Sequence, residues 1–440
     1  MEYNIFFWAI VGIIVIGFIW DQIRAALNRS MMSDTLPPQL AGIYDAEKYA
    51  RQQQYQRVNG KFGLINSSFS TLLLLVVLFA GGLGFLENSL QGVTSNYVLL
   101  PILFTLILVA LVTVIGLPFD YYDTFVIEER FGFNKSTKKT FFLDALKNLL
   151  LTTVIISVVV GVIAFLYSLS PQWFWVWAWA VLTFFAVGLN YFYSQLIVPL
   201  FNKQTPLEDG DLRNALMKLA KECEFPITDV FVIDGSKRST KANAYFAGFG
   251  KKKRICLYDT LIDELETDEI VAVLAHEIGH YKKKHIPINM ALSTLLQGFQ
   301  LWLMSLFLGS AALASALGSQ LGTSSLILGL IAFSLLFSPI SEFLGVGLNV
   351  LSRRFEYQAD AYAAHFGCAQ SLMDGLRTIS AKALSNMTPH PVVIFWSYSH
   401  PTVLQRMEAL KITGFTPRPE EAEDEMGESV VNEEGTPAEE

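Results

Sequence analysis

The chain contains 440 residues, of which 52% are hydrophobic and only 16% are charged. Soluble domains carry about 25% charged residues, so this composition argues against a soluble globular protein. The net charge of −8 is local, because ten of the 40 acids and none of the 32 bases lie in positions 420–440. The near-neutral remainder argues against a nucleic-acid-binding protein, and the acidic tail 414–440 is predicted to be disordered.

Long charge-free stretches predict seven membrane-spanning helices, because one helical span needs about 20 apolar residues. The first three stretches, 3–20, 62–86 and 88–119, are expected to hold one span each. The last two, 148–202 and 286–341, are longer and are expected to hold two spans each. The longer stretches have polar breaks near 168–172 and 318–325. The first span is expected to be retained, because it lacks the basic start and small-residue end of a signal peptide.

Basic residues lie only in alternate connecting segments, which are 21–61, 120–147, 203–284 and 351–418. Short cytosolic loops carry the excess of Lys and Arg, so these segments are predicted to face the cytosol and the N-terminus to face outward. We therefore expect a multi-pass protein of the lipid bilayer. Its membrane would be that of the endoplasmic reticulum in a eukaryote and the cytoplasmic membrane in a bacterium.

The segment 203–284 changes to an α+β pattern. A helix is predicted over 209–222 and short strands over 228–233 and 254–257. The next helix, 267–284, is expected to begin with Thr267 as its N-cap, and a second cytosolic helix near Ser352. Three cysteines without CxxC spacing are predicted to be packing residues, and they are Cys223, Cys256 and Cys368.

The helix over 267–284 contains an HExxH motif, from His276 to His280. Positions i and i+4 share one face of a helix, so both imidazoles can bind one Zn²⁺. Glu277 lies beside that metal, where it can take a proton from a water molecule. The motif therefore predicts a zinc protease whose catalysis takes place on the cytosolic side.

A catalytic zinc needs a third protein ligand. One class of zinc proteases uses a histidine ten positions after the first, but position 286 is Ile. His285 falls off the shared helix face and is predicted to be an interfacial side chain. Few acids follow the motif before the tail, and they are Glu342, Glu356, Asp360, Asp374 and Glu408.

Glu356 is the best third ligand among these acids, because it follows the cytosolic end of the seventh span. The alternative is a surface carboxylate that pairs with Arg353. Asp360 lies one turn further on, where it can hydrogen-bond a ligand histidine. Glu342 lies inside the span, where an acid is costly; it either lines a polar chamber or reaches solvent near the interface, and the sequence leaves both open.

These residues resemble the type I CAAX prenyl proteases, which are integral-membrane zinc endopeptidases. The matching stretches extend over about 280 positions and read FGFNKST (131–137), GSKR (235–238), NAYF (243–246), HEIGH (276–280), SRRFEYQAD (352–360) and YSHP (398–401). The resemblance implies one Zn²⁺ per chain and these roles: His276, His280 and Glu356 as ligands, Asp360 as support for them, Glu277 and His400 as catalytic residues, and Asn243 and Arg406 as substrate-binding residues.

The resemblance also implies a mainly α fold, in which seven transmembrane helices enclose a chamber capped by a small α+β zinc protease domain. The expected parts are helices one to five in 1–200, the HExxH-bearing cytosolic part in 201–285, helices six and seven in 286–350, the rest of the catalytic domain in 351–413, and the tail. The implied reaction removes the C-terminal tripeptide of a prenylated CAAX protein, so the expected partner is the C-terminal peptide of a lipidated or membrane-associated protein.

One departure from the family bears on the substrate. Animal members carry a charged insertion before the HExxH helix, whereas Asp259 and His276 are only 17 positions apart here. Two alternatives to the function of a CAAX prenyl protease stay open. One is a quality-control protease that cleaves misfolded or stalled membrane proteins without need for prenylation, and the other is a transporter or scaffold with a structural zinc.

Overall fold

The computed structural model describes residues 3–247, 253–321 and 325–413. The acidic tail, predicted to be disordered, lies outside the described residues. The helices are α1 (Ile5–Ser30), α2 (Ala46–Phe79), α3 (Gly82–Gln91), α4 (Leu99–Tyr122), α5 (Lys138–Leu169), α6 (Phe174–Phe192), α7 (Val198–Phe201), α8 (Asp211–Glu222), α9 (Asp259–Glu264), α10 (Thr267–Lys282), α11 (His285–Ser305), α12 (Ala311–Ser315), α13 (Leu326–His365), α14 (Ala369–Lys382), α15 (Pro391–Ser397) and α16 (Val403–Thr413). The strands are β1 (Gln204–Pro206), β2 (Ile227–Ile233), β3 (Ala244–Ala247) and β4 (Lys253–Tyr258).

Within the described residues, six helices are long and apolar enough to cross a membrane, namely α1, α2, α4, α5, α6 and α13. Short π-helical segments, Asp123–Glu128 and Tyr193–Ile197, continue α4 and α6 at their C-terminal ends. The prediction of a mainly helical, polytopic membrane fold is confirmed. The predicted count of seven differs by one, because α11 occupies the sixth predicted span but is not among these apolar helices.

The polar side chains of α11 explain this difference. Asn289, Ser293, Gln297 and Gln300 lie on α11 and line a cavity of about 760 Å³. Residues of α6 and α13 complete its wall, including Thr183. A helix that places amides and hydroxyls along a cavity needs less hydrocarbon character than one that faces lipid on all sides.

The four strands form one sheet in the order β1-β2-β4-β3. Strands β2 and β4 are parallel, whereas β1 and β3 pair antiparallel with their neighbours. Strand β3 therefore lies at an edge of the sheet. The helices on one face share a core with the sheet that includes Leu216, Val230, Ile255, Ile278, Ala363, Leu372 and Leu410. This core thus joins residues that precede α11 to residues at the end of α13 and beyond it in the sequence. All three cysteines are buried.

Two backbone hydrogen bonds join the segment that follows α4 to the loop between β2 and β3. The backbone N–H of Lys135 donates to the carbonyl of Arg238 at 2.9 Å, and the N–H of Thr240 donates to the carbonyl of Phe133 at 3.1 Å. The guanidinium of Arg238 also reaches Asp144 at 2.8 Å. The segment after α4 thus holds the loop that leads into β3.

The N-cap of helix α10 lies one residue earlier than predicted. Its N-cap is Glu266, not Thr267, and Glu266 and Glu269 form a capping box. The carboxylate of Glu269 accepts the backbone N–H of Glu266 at 3.0 Å. A carboxylate cap also interacts favourably with the positive end of the helix dipole, which explains why Thr267 is displaced from this role.

The prediction of a separate cytosolic helix beginning near Ser352 was wrong. Helix α13 runs without interruption from Leu326 to His365. The sequence after Gly347 contains no glycine or proline within the helix, and Arg, Glu, Gln and Ala are good helix formers. One rigid element therefore carries both the seventh predicted span and Glu356.

Helices α10 and α13 pack closely where they cross. A Cβ atom added at Gly279 would lie 2.9 Å from the Cα atom of Ala359 and 3.0 Å from its carbonyl oxygen. Gly279 lies between the two motif histidines, so its missing side chain lets α10 approach α13. The close approach sets the distance between the histidines and Glu356.

Candidate metal centre

Three side chains converge at the crossing of α10 and α13. The Nε2 atoms of His276 and His280 are 3.1 Å apart. Glu356 Oε2 lies 3.5 Å from His276 Nε2, and Glu356 Oε1 lies 3.3 Å from His280 Nε2. Among the described residues, this trio is the group of His, Cys, Asp and Glu side chains whose ligand atoms are close enough to hold a metal ion.

The donor set fits a metal ion of the zinc type. Ligand atoms about 2.0–2.1 Å from a tetrahedral ion are about 3.3 Å apart, which is the centre of the range observed here. Glu356 is 4% exposed, and its Oε2 atom accepts no hydrogen bond within the described part of the chain. A buried carboxylate oxygen without a hydrogen bond is costly, and a cation between the three side chains would satisfy it.

Glu356 does not form the alternative surface pair with Arg353. The guanidinium of Arg353 instead donates to the backbone carbonyls of Ile394 and Tyr398. It thereby fixes α15 and the loop after it against α13. The carboxylate of Glu356 is left facing the two histidines.

Asp360 and Arg406 support His276 from behind. Asp360 Oδ1 lies 2.8 Å from His276 Nδ1, so the other ring nitrogen, Nε2, faces Glu356. The guanidinium of Arg406 is bidentate to Asp360, with Nε at 2.9 Å and Nη2 at 2.6 Å. The structure thus shows the contact between Asp360 and His276, and the role of Asp360 as support for a metal ligand stays a prediction.

Arg406 is buried among acids. Burial alone would lower the pKa of its guanidinium, but the hydrogen bonds and charge of Asp360, together with the charge of Glu356, raise that pKa above its ordinary value. Its Nη1 atom is 3.4 Å from Glu356 Oε2. A substrate contact by Arg406 stays a prediction, since the contacts that the structure describes are with residues of the trio and their support.

The prediction that His285 is an interfacial side chain was wrong. His285 is 2% exposed, and its Nδ1 atom lies 3.0 Å from Nδ1 of His280. The prediction assumed a helix that continues through residue 284. Instead α10 ends at Lys282, and Lys284 adopts a left-handed conformation with φ of 59°, which turns His285 back toward His280.

Glu277 opens into a cavity beside the trio. The cavity has a volume of about 600 Å³ and is lined by Glu277 and His280 on one side. The other lining is mostly apolar and comes from α5, the end of α6, β3 and the start of α11, with Leu151, Ile155, Leu189, Tyr193, Ile197, Tyr245 and Ile286. Lys253 also lines it, and burial lowers the pKa of this lysine to about 8.

His400 approaches the trio from the loop after α15. Its Nε2 atom lies 3.4 Å from Glu356 Oε1, and its side chain is 63% exposed. The ring is oriented by Ser399, whose Oγ lies 2.9 Å from His400 Nδ1. His400 is thus close enough to act on a group bound at the trio while it stays accessible from solvent.

Asn243 lies at the entrance to β3 and is exposed. Its side-chain oxygen accepts the backbone N–H of Ala244 at 2.8 Å. Tyr245, two residues on, lines the cavity that contains Glu277. The structure therefore places Asn243 immediately before the edge strand of the site, and a contact with substrate stays a prediction.

Glu342 belongs to a different cluster. Its Oε1 atom accepts a hydrogen bond from Trp396 Nε1 at 2.7 Å and lies 3.5 Å from Arg24. Its side chain is 39% exposed, which favours the alternative of a solvated acid near the interface. It is not among the residues that line the cavity between α6, α11 and α13.

Comparisons with known proteins cover almost all of the chain. Residues 27–203 match the family model described as CAAX prenyl protease N-terminal, five membrane helices. Residues 206–413 match the model of Peptidase family M48. The boundary between the two matches falls at β1, where the helical bundle gives way to the sheet.

Similar proteins include two named CAAX prenyl protease 1 homolog. The one from Arabidopsis thaliana is 35% identical over 410 residues, covering 91% of this chain and 96% of the relative. The one from Homo sapiens is 32% identical over 440 residues, covering 90% and 93%. The crystal structure of S. mikatae Ste24p is similar with a TM-score of 0.87 and 30% identity, covering 93% of this chain and all of that one.

Proposed function

The chain belongs to the CAAX prenyl protease family of M48 peptidases, and we propose that it is a zinc-dependent endopeptidase that removes the C-terminal tripeptide from prenylated CAAX proteins. The family assignment makes it a membrane metalloprotease. The observation that carries the proposal further is the position of Glu277, next to the trio and at the wall of a largely apolar cavity. The relatives from Arabidopsis thaliana and Homo sapiens bear the name CAAX prenyl protease 1 homolog.

We propose that His276, His280 and Glu356 hold one Zn²⁺ per chain. Two imidazole nitrogens and one carboxylate form a ligand set of catalytic zinc sites, which leave a fourth position open. Zinc supplies Lewis acidity there, since it lowers the pKa of water and polarises a carbonyl group.

The protein residues then carry the proton transfers. Glu277 takes a proton from the attacking water and delivers it to the amine of the departing tripeptide. His400 donates a hydrogen bond to the oxygen that becomes negative as the peptide carbonyl is attacked. The position of His400 supports this role, because its exposed ring is oriented by Ser399 and its Nε2 atom lies 3.4 Å from Glu356 Oε1.

The edge strand and the cavity account for substrate binding. Strand β3 has β4 on one side, and an extended peptide can pair with its other side, where Asn243 holds the peptide backbone. The cavity between α5, α6 and α10 has a volume typical of small-molecule sites. Its aliphatic walls suit the prenyl group on the cysteine next to the cleaved bond.

The location of the site follows from the charges. All basic residues lie in the segments that include 203–284 and 351–418, and these are the segments that supply the site residues. By the positive-inside rule the site faces the cytosol. Its substrates are then the C-terminal peptides of lipidated proteins at the cytosolic surface of the membrane.

A direct assay separates the prenyl protease from a quality-control protease. Purified protein in detergent is given a farnesylated CAAX peptide or the same peptide without the farnesyl group. We expect cleavage of the farnesylated peptide after the cysteine, loss of cleavage with a chelator and recovery with zinc. Equal cleavage of both peptides would favour quality control, and cleavage unaffected by removal of metal would contradict the proposed chemistry.

A further inference from the structure

The buried His285 lies between a candidate metal ligand and an amide side chain. Its Nδ1 atom is 3.0 Å from Nδ1 of His280, and its Nε2 atom is 2.9 Å from Oε1 of Gln358. Its ring stacks on Phe355 with the centroids 4.1 Å apart and the planes 9° apart. His280, His285 and Gln358 therefore form a continuous chain of hydrogen bonds from α10 through the start of α11 to α13.

The direction of these bonds follows from which nitrogen of His280 binds metal. His280 Nε2 faces His276 and Glu356, so Nε2 must present its lone pair there and the ring proton must lie on Nδ1. His280 Nδ1–H then donates to His285 Nδ1, which must be unprotonated. The proton of neutral His285 therefore lies on Nε2, and this N–H donates to the amide oxygen of Gln358.

The two candidate histidine ligands have different supports. His276 is held by the carboxylate of Asp360, which is in turn held by Arg406. His280 is held by the neutral imidazole of His285, which is in turn held by the amide of Gln358. Such outer partners fix the tautomer and the ring orientation of a ligand histidine.

We propose that His285 is a positioning residue of the metal centre, which fixes the tautomer and orientation of His280 by accepting its Nδ1–H. The inference rests on the proposed metal centre. It also gives α11 a role in metal binding, since His285 is the first residue of that helix. Helix α11 is thereby connected to the candidate ligand His280 through a single hydrogen bond.

Two substitutions of His285 separate positioning from packing. His285→Leu fills the space but accepts no hydrogen bond, whereas the side-chain oxygen of His285→Asn occupies the place of Nδ1. Loss of an outer partner typically weakens metal binding about 10–100-fold. We expect a loss of this size in zinc affinity for His285→Leu and about 3-fold or less for His285→Asn, measured by competition with a chromophoric chelator.

A third variant tests the far end of the chain of bonds. Gln358→Glu puts a stronger acceptor against His285 Nε2–H, and we expect zinc affinity equal to or tighter than that of the unmodified protein. The matched control is His365→Asn, an exposed histidine at the end of α13, for which no change is expected. Metal-free samples of each variant are compared by thermal unfolding to record purely structural losses.

The outcomes distinguish this inference from the proposed function. Equal zinc affinities for His285→Leu and His285→Asn, or a loss in Gln358→Glu as large as in His285→Leu, would overturn the positioning role. If the unmodified protein and His280→Ala bind zinc equally well, the proposed metal centre itself fails. If zinc binds as expected but farnesylated peptide is not cleaved, only the proposed substrate fails.

Discussion

The two ends of helix α13 both hold buried carboxylates, and their surroundings differ. At the N-terminal end, Glu87 is fully buried and accepts hydrogen bonds from two hydroxyl groups, those of Ser319 and Ser325. At the C-terminal end, Glu356 and Asp360 are buried against histidines and a guanidinium.

The difference shows what a buried acid needs in order to take part in chemistry. Two hydroxyls satisfy the oxygens of Glu87 and hold α3 against the start of α13, but they bring no second metal-binding side chain. Arg406 and the histidines balance the charge of Glu356 and Asp360, and they leave one oxygen of Glu356 without a hydrogen bond. We therefore propose a structural role for the buried acid at the N-terminal end of α13 and a role in catalysis for those at its C-terminal end.

The largest expected effect comes from Glu277→Gln, on helix α10 beside the C-terminal end of α13. The amide keeps the shape of the side chain but cannot take a proton, and general bases contribute about 10²–10⁴ in rate. We expect cleavage of a farnesylated peptide to fall by at least that factor while bound zinc, measured by elemental analysis, stays at the level of the unmodified protein. Substantial turnover in this variant would contradict the role of Glu277.

The next effect concerns the charge balance around Asp360. Arg406→Gln leaves two buried acids without their cation, and breaking a buried ion pair costs about 3–5 kcal/mol. We expect a large drop in the thermal unfolding midpoint in detergent. The control is Arg57→Gln, which removes the exposed pair with Asp34 and should cost less than about 1 kcal/mol; equal losses would refute the charge-balance argument.

A smaller effect is expected where α10 meets α13. Gly279→Ala forces a methyl group against the backbone of Ala359, and overpacking costs about 1–3 kcal/mol. The shift should also weaken zinc binding, because Gly279 lies between the two histidines. Gly347→Ala is the matched control, since a Cβ atom there meets nothing within 4 Å; equal stability of the two variants would show that the crossing is not tight.

The smallest effect is expected at the other end of α13. Glu87→Gln keeps one oxygen for a serine hydroxyl, so the loss should be about 1 kcal/mol, the net value of one hydrogen bond. Zinc content and peptide cleavage should be unchanged. A loss of cleavage above 10-fold would mean that the N-terminal end of α13 also takes part in catalysis, and the contrast between its two ends would no longer hold.

The sequence predicted those parts of the site that depend on spacing within one helix. His276 and His280 share a face because they are four residues apart, and the scarcity of acids after them favoured Glu356. The polytopic membrane fold was predictable because uncharged apolar stretches long enough to cross a membrane are rare in soluble proteins. The resemblance, not the spacing, singled out Arg406, which is 130 positions from His276 in the chain.

The features that the sequence did not predict depend on backbone geometry between elements. His285 contacts His280 only because Lys284 adopts a positive φ, which is uncommon for a residue with a long side chain. The continuity of α13 past Ser352, by contrast, agrees with its local sequence, which has no glycine or proline after Gly347 within the helix. The hydroxyl partners of Glu87 lie more than 230 positions away, and no local pattern connects them.

The central claim is that a metal held by His276, His280 and Glu356 performs peptide hydrolysis. Its most direct test is the zinc content and peptide cleavage of Glu356→Ala beside the unmodified protein, both purified with zinc and then dialysed. We predict one zinc per chain and active cleavage in the unmodified protein, with zinc and cleavage both lost in the variant. Full zinc content together with full cleavage in Glu356→Ala would contradict the account.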